Sequence, residues 1–406
     1  MAEAGAMEFR RYTGVFGIAV ALAALPFAVN FVFIKRAYEA SSYANIVAEQ
    51  LHRGGMYGSA FNGNDLKYKI ELVRALKPDV VVIGSSRAMN VRGLVFGRPF
   101  VNAGGVSSNL LESETFVSEM LKAHVPKLAL YFVDYWWFNA KSEQTSNRYL
   151  IDETEVSYAK LSSPFFWLHE GKISWDLYRD VILHGRHEPA FTSYDDLGLF
   201  TLRYSSGFRT DGSFFNARSL NREEGVVGYF WDELKRIENG TSERVNLGLG
   251  DFVSEENARR FLRILSGLKQ SGVEVIVVLP PVAPLYLKAI RARERRPFVT
   301  ALAERLRRDV PLLYDFTDFP LPVKADCEYA DGYHAGDTLS LRLLRAILER
   351  SPDSPLRAYV NRDRMDALIA RFAGRVLIVD QPEKFKAAEY DFLGLGCDKR
   401  AAEASR

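Results

Sequence analysis

Short apolar runs bounded by glycine, proline or asparagine recur along the chain at Asp79–Gly84, Pro99–Asn102, Lys127–Val133, Val273–Leu279 and Leu312–Phe316. They are continuous rather than alternating. Strands covered on both faces of a parallel sheet have this pattern. Between them the apolar residues repeat at helical spacing. Leu66–Leu76, Asn109–His124, Ser254–Gln270 and Gly336–Arg350 read as helices, and Ala283–Val310 as one or two more. In "SEENARRFLRILSGLKQ" Ser254 stands at the N-cap, and Glu255 and Glu256 fill the first turn, where carboxylates meet the positive end of the helix dipole. Strands alternating with helices predict an α/β domain on a parallel, doubly wound sheet of about five strands.

The rhythm breaks in several places. From Asp134 to Asp251 the pattern is rich in Tyr, Phe, Trp and turn residues, which reads as a large insertion after the third strand. Insertions at strand ends commonly build substrate surfaces. After residue 350 a C-terminal extension, 351–406, carries a helical pattern at Arg362–Phe372 and a strand pattern at Arg375–Asp380, an expected edge strand. Residues 37–78 read as a connecting segment whose "RGGMYGSAFNGND" is a glycine-rich loop. At the N-terminus, Thr13 to Ile34 carries no charge and one strongly polar side chain, Asn30. That length crosses a bilayer core. Ala21-Leu22-Ala23 resembles a signal-peptidase site, but the apolar run continues well past it, so residues 1–36 read as a short tip and an uncleaved anchor. Arg10 and Arg11 before the span nearly balance Lys35 and Arg36 after it, so charge leaves the orientation open.

Composition changes this picture little. Of 406 residues 48% are apolar and 26% charged, and the net charge of +2 gives no nucleic-acid footprint. The basic "RARERR" run at Arg291–Arg296 reads as a solvated helix face. The two cysteines, Cys327 and Cys397, lack metal-site spacing; a disulfide and two free thiols both fit. No cluster of metal ligands appears, and neither a metal nor a cofactor is expected.

In doubly wound sheets the chemistry sits just past the carboxyl ends of the strands. Four segments occupy such places: Gly84-Ser85-Ser86-Arg87, Asn102-Ala103-Gly104-Gly105, Asp134-Tyr135-Trp136-Trp137, and the loop Asp331-Gly332-Tyr333-His334. A serine nucleophile needs a base for its proton, and the base needs an orienting acceptor. His334 with Asp331 supplies both from one loop. Ser86 then reads as the nucleophile and Ser85 as a spacer. His52, His124, His169, His184 and His187 read as surface or packing residues.

In their order these segments resemble the SGNH/GDSL hydrolase superfamily. "VVVIGSSR" is similar to its first block, with Ser86 at the nucleophile position and Ser85 where Asp is usual. "FVNAGG" is similar to the second block and "DGYH" to the last. The likeness spans about Asp79 to Arg350, and implies a three-layer α/β/α catalytic domain over 79–350 with the insertion at 134–251. With the anchor, the "GSSR" and "DGYH" forms look like the branch of alginate-acetylation and teichoic-acid D-alanyl transfer proteins. That branch implies a single-pass protein of the bacterial inner membrane with its domain in the periplasm. It also implies transfer of an acetyl or similar acyl group, through an acyl-serine, onto a surface polysaccharide. The acyl donor would come from a multispanning membrane acyltransferase.

The third block departs from the family: Asp134 stands where an oxyanion-donating Asn is expected, and a carboxylate would repel an oxyanion. Asn139 reaching in, Asp134 pairing with Arg87, and a hole made by the N–H groups of Ser86 and Gly104 or Gly105 all remain open. Arg87, Asp134, Trp136 and Trp137 are candidate substrate contacts. Arg87 could instead serve structure, and the tryptophans could fill the core, as could Phe165, Phe166 and Trp167. "DGSFF" at Asp211 reads as a turn with a substrate role open. Two other activities fit the same residues: a carbohydrate esterase, and a catalytically degenerate glycan-binding or scaffold protein of a polysaccharide export system.

Overall fold

The computed structural model describes residues 2–61, 65–140, 152–189, 195–217, 224–242, 253–293, 298–317, 325–379, 389, 391 and 395–397. Residues 294–296 of the basic run and Asp380 of the expected edge strand fall outside these.

Five strands, β1 (Val80–Gly84), β2 (Phe100–Gly104), β3 (Leu128–Phe132), β6 (Glu274–Leu279) and β7 (Leu313–Asp315), form one sheet in the order β2-β1-β3-β6-β7. Every pairing in it is parallel, with Gly84 in register with Gly104 and Val80 with Leu128. Because β1 has β2 on one side and β3 on the other, the connection after β1 runs to one side of the sheet and that after β3 runs to the other, toward β6. This opens a crevice at the carboxyl end of β1.

Both faces are covered, which is why the strands carry unbroken apolar runs. On one face Val81, Ile83, Tyr131 and Val277 pack with Val73 of α3 (Asp65–Leu76), Phe116 of α4 (Leu110–Ala123), Phe261 of α9 (Glu255–Gln270) and Leu302 of α11 (Phe298–Arg307). On the other, Val80, Val82, Leu130 and Ile276 pack with Leu344 and Ile347 of α12 (Asp337–Arg350) and Ile369 of α13 (Arg362–Arg371). The caps follow the sequence: the Ser254 side chain accepts from the Asn257 N–H at the start of α9, and Asn109 does the same from Glu112 at α4.

Two segments differ from expectation. Residues 37–78 do more than connect. They contain α2 (Tyr43–Arg53), N-capped by Ser42 and ended by Gly54 at φ +75°. Tyr43, Ile46, Val47 and Tyr57 are part of the main core. The tail run from Arg375 is not a strand. Val376, Leu377 and Ile378 are buried, but carboxylates take their N–H groups: Glu389 accepts from Val376 and Leu377, and Asp337 from Ile378. With the backbone satisfied in this way, no ladder is required.

Between β3 and β6 lie α5 (Tyr158–His169), α6 (Trp175–His184), α7 (Leu199–Tyr204), the short hairpin β4 (Gly207–Phe208) and β5 (Phe214–Phe215), and α8 (Glu224–Asn239). Helix α8 packs on α10 (Pro284–Arg293) through Phe230 and Tyr286. The N-terminal helix α1 (Ala2–Arg36) is long and apolar enough to cross a membrane from Arg11 to Arg36. Its Asn30 is fully buried against the insertion: the amide donates to the Leu161 carbonyl at 2.6 Å, and the Tyr178 hydroxyl donates back at 2.5 Å.

Cys327 and Cys397 form a disulfide with Cα atoms 5.8 Å apart, closing a separation of 70 residues. Loop entropy alone makes such a link worth roughly 4 kcal/mol. Thermal unfolding of the Cys327→Ser/Cys397→Ser variant should show a lowered midpoint that reductant no longer affects, while reductant lowers that of the parent chain.

Candidate active site

Strand β1 delivers Ser86 to the crevice. The chain turns at once into a single 3-10 turn over Ser86–Ala88, capped by the Ser85 hydroxyl, which accepts from the Arg87 N–H at 3.2 Å. Ser85 is buried and structural, whereas Ser86 is exposed at the first position of the turn. The turn lies directly on β2: a Cβ at Gly104 would stand 2.7 Å from the Met89 nitrogen, so only glycine fits there. Gly105 follows at φ +91°, beneath the Met89 side chain.

His334 comes to Ser86 from the loop before α12. Its Nε2 is 2.8 Å from the Ser86 Oγ, across 248 residues of sequence. Its Nδ1 faces both oxygens of Asp331, at 2.9 and 2.8 Å. An ionised carboxylate only accepts, so the proton sits on Nδ1 and Nε2 is left to accept from the serine. The Asp331 Oδ1 also receives the N–H groups of Tyr333 and His334, at 2.8 and 2.9 Å. Burial alone would push the Asp331 carboxyl up. The His334 charge and these hydrogen bonds outweigh it and bring it down to about 2. The disulfide is anchored four residues before Asp331, at Cys327, which ties this loop to the tail.

Beneath Ser86 lies a buried ion pair. The Arg87 Nη1 is 3.1 Å from the Asp134 Oδ1, with both side chains almost fully enclosed. The remaining guanidinium donors reach the carbonyls of Pro280, Pro281 and Tyr333 at 2.9, 2.6 and 3.3 Å, and the group lies 5.4 Å from the Trp136 ring centroid. Burial pushes the Asp134 carboxyl up, opposed by Arg87 and the Ser85 hydroxyl. Arg87 is therefore occupied structurally, although it also lines the smaller of the two cavities described next. Asp134 lines neither cavity.

Two cavities meet at Ser86, Met89 and His334. One, of about 460 Å³, is walled by Phe200, Tyr204 and Phe214 with the amides of Asn90 and Asn216 at its edge. The other, of about 370 Å³, contains Trp136, Tyr333, Gly105, Ser107 and Asp65. The insertion thus supplies half of the first cavity's lining, including Phe214 of the "DGSFF" turn.

Several expected contacts are corrected. The Gly104 N–H donates to the Asn102 Oδ1 at 2.6 Å, and the Gly105 N–H to the Gly84 and Ser85 carbonyls at 3.0 Å, so neither points at a developing oxyanion. Asn139 is buried in a bridge to Val253 and lines neither cavity. Trp137 is fully buried in the main core, unlike its neighbour Trp136. Phe165 and Trp167 pack beside α1 and Phe61, away from Ser86. One residue was missed: Ser107 is buried, and its Oγ has no hydrogen-bond partner among the described residues although it lines the second cavity. Its only sequence signal is its place just past Gly104-Gly105. The Ser86 N–H, first in its turn, has no acceptor within that turn either. No group of three or more metal-ligating side chains occurs among the described residues.

No protein-family model matches the chain, and no curated protein matches it.

Removing one member of a buried ion pair strands the other. Arg87→Met should cost about 3–5 kcal/mol in urea unfolding, and Arg87→Met/Asp134→Leu should regain most of it. On acidification, Asp331, held low in the folded state, should contribute stability above the usual aspartate range and lose it as pH falls toward about 2. Acid unfolding of Asp331→Asn lacks that component.

Proposed function

We propose that this chain is a membrane-tethered serine acyltransferase of the SGNH/GDSL type, which moves an acetyl or similar acyl group onto hydroxyls of a surface polysaccharide. The carrying observation is the Ser86–His334–Asp331 hydrogen-bonded chain in the crevice at the end of β1. Ser86 attacks the acyl carbonyl while His334 Nε2 takes the hydroxyl proton. The tetrahedral intermediate collapses, and the donor's leaving group departs with that proton. A sugar hydroxyl then gives its proton to His334 and attacks the acyl-serine. Collapse frees Ser86 Oγ, which takes the proton back. The Ser86 N–H and the Ser107 hydroxyl act as oxyanion donors in the smaller cavity.

Transfer rather than hydrolysis is favoured by two cavities sharing one nucleophile, one for the acyl donor and one for the acceptor. Aromatic walls with amides at the edge suit the apolar faces and hydroxyls of a sugar. The disulfide supports a periplasmic location, since such bonds persist in oxidising compartments. Delivery of the donor by a multispanning membrane acyltransferase and an inner-membrane setting complete the proposal.

A second reading, glycan binding without turnover, draws on Asp134 at the third-block position and on the occupied N–H groups of Gly104 and Gly105. The esterase alternative shares every group and differs only in water as acceptor.

Full-length protein with an activated acetyl ester should release acetate, and Ser86→Ala should lose at least about 10³-fold of that rate. Ser107→Ala should lower kcat about 100-fold with KM little changed. With an oligosaccharide present, acetylated sugar identifies the transferase and free acetate alone the esterase. Glycan binding that persists in Ser86→Ala, with no turnover in either form, identifies the binding protein. Tyr204→Ala should raise KM for the sugar while leaving activated-ester cleavage intact.

A further inference from the structure

The insertion has a second apolar face that the site does not use. Helices α5 and α6 pack along the last turns of α1. Phe27 meets Tyr158 and Phe165 at ring separations of 5.9 and 5.5 Å, and Phe33 meets Tyr178 at 4.7 Å. The Arg36 guanidinium closes the end of α6 through the carbonyls of Ile182 and Leu183, at 2.7 and 2.9 Å. The same helices leave large apolar side chains open: Tyr158, beside Phe27, at 74%, Phe166 at 61%, Trp175 at 70% and Leu183 at 59% exposure.

That patch lies beside the span and not beyond it. Phe27 precedes Arg36 by about 13 Å of helix. If Lys35 and Arg36 mark the polar boundary, the rings on Phe27 stand below it. α1 itself is exposed at every residue from Arg11 to Pro26, on all its faces, as a helix in lipid is. Trp and Tyr rings settle at the headgroup level, and the charged side chains between them pair with one another, Lys172 with Glu170 and Arg179 with Asp176 and Asp180.

We propose that α5 and α6 form a membrane collar, seated in the boundary between headgroups and acyl chains of the leaflet where α1 emerges, with lipid as the occupant of the exposed face. The collar carries the reaction cavity with it. Leu199 and Leu202 of α7 pack into the cluster around Phe33 and Leu177, while Phe200 and Tyr204 of the same short helix wall the larger cavity. Ser86 is thereby held one helix from the membrane surface, at a height set by the collar.

The test uses the full-length chain in phosphatidylcholine vesicles with acyl chains brominated at shallow or deep positions. Tryptophan emission should be quenched more by shallow than by deep bromines, and Trp175→Phe should remove at least half of that quenching. Phe166→Trp in the Trp175→Phe background should restore it. Quenching unchanged by Trp175→Phe, a Phe166→Trp that stays unquenched, or protein that fails to float with the vesicles overturns the collar. So does cross-linking of Phe166→Cys to a second copy in place of quenching, because a protein surface then covers the patch. Ser86→Ala should be quenched like the parent, which separates this outcome from the fate of the acyl-transfer proposal.

Discussion

The Arg87 guanidinium, buried under the exposed serine, joins the turn after β1, the end of β3 at Asp134, the end of β6 at Pro280 and Pro281, and the loop carrying His334 through the Tyr333 carbonyl. Each of these segments leaves the sheet at a different strand, and the ladder that sets the strand ends does not fix how the loops beyond them lie against one another. A single planar cation with donors in a rigid fork does so. Burying it costs desolvation, which Asp134 and three carbonyls offset. The same pair accounts for an acid where an oxyanion donor was expected: Asp134 serves as counterion to the support under the nucleophile. A hydrogen bond 2.8 Å long between Ser86 and His334 depends on that support as much as on either residue.

What could be read from the residues follows from how local each signal is. Strand positions were legible within a residue or two because burial on both faces demands continuous apolar runs. The Asp331–His334 spacing was legible because orienter and base share one loop. The tail run Val376–Ile378 has the same apolar look as a strand, yet its N–H groups end on Asp337 and Glu389, partners brought in by tertiary structure. Helix α2 was hidden by the glycine-rich loop after it and by its closeness to the anchor. The oxyanion assignment failed for a related reason. Residue type says that Gly104 and Gly105 permit close approach; only the turn geometry says where their N–H groups point. Trp136 and Trp137 are adjacent and chemically alike, but one lines a cavity and the other fills the core.

Electrostatics and access divide the crevice. On one side the ionised Asp331 fixes the imidazole tautomer and takes two further N–H groups, so the fold itself holds the His334 ring in one orientation. On the other, Ser86 and Ser107 both line the smaller cavity, and the buried Ser107 Oγ has no hydrogen-bond partner among the described residues. The larger cavity is lined half by the insertion and half by segments of the sheet domain, and the smaller mainly by loops at the strand ends. The sheet domain therefore carries Ser86, His334 and Asp331, and the insertion adds an aromatic wall beside them.

The insertion leaves from β3 and returns, through α9, to β6, which is β3's neighbour in the sheet, paired from Leu128 with Glu274 to Phe132 with Val278. Its two ends are thus pinned side by side by the ladder, whatever lies between them. Trp137, Phe138, Leu197 and Phe208 from that chain also sit in the main core. The insertion is therefore a closed loop stitched to the sheet domain at its root and again in its middle, and not an appendage that could be exchanged whole.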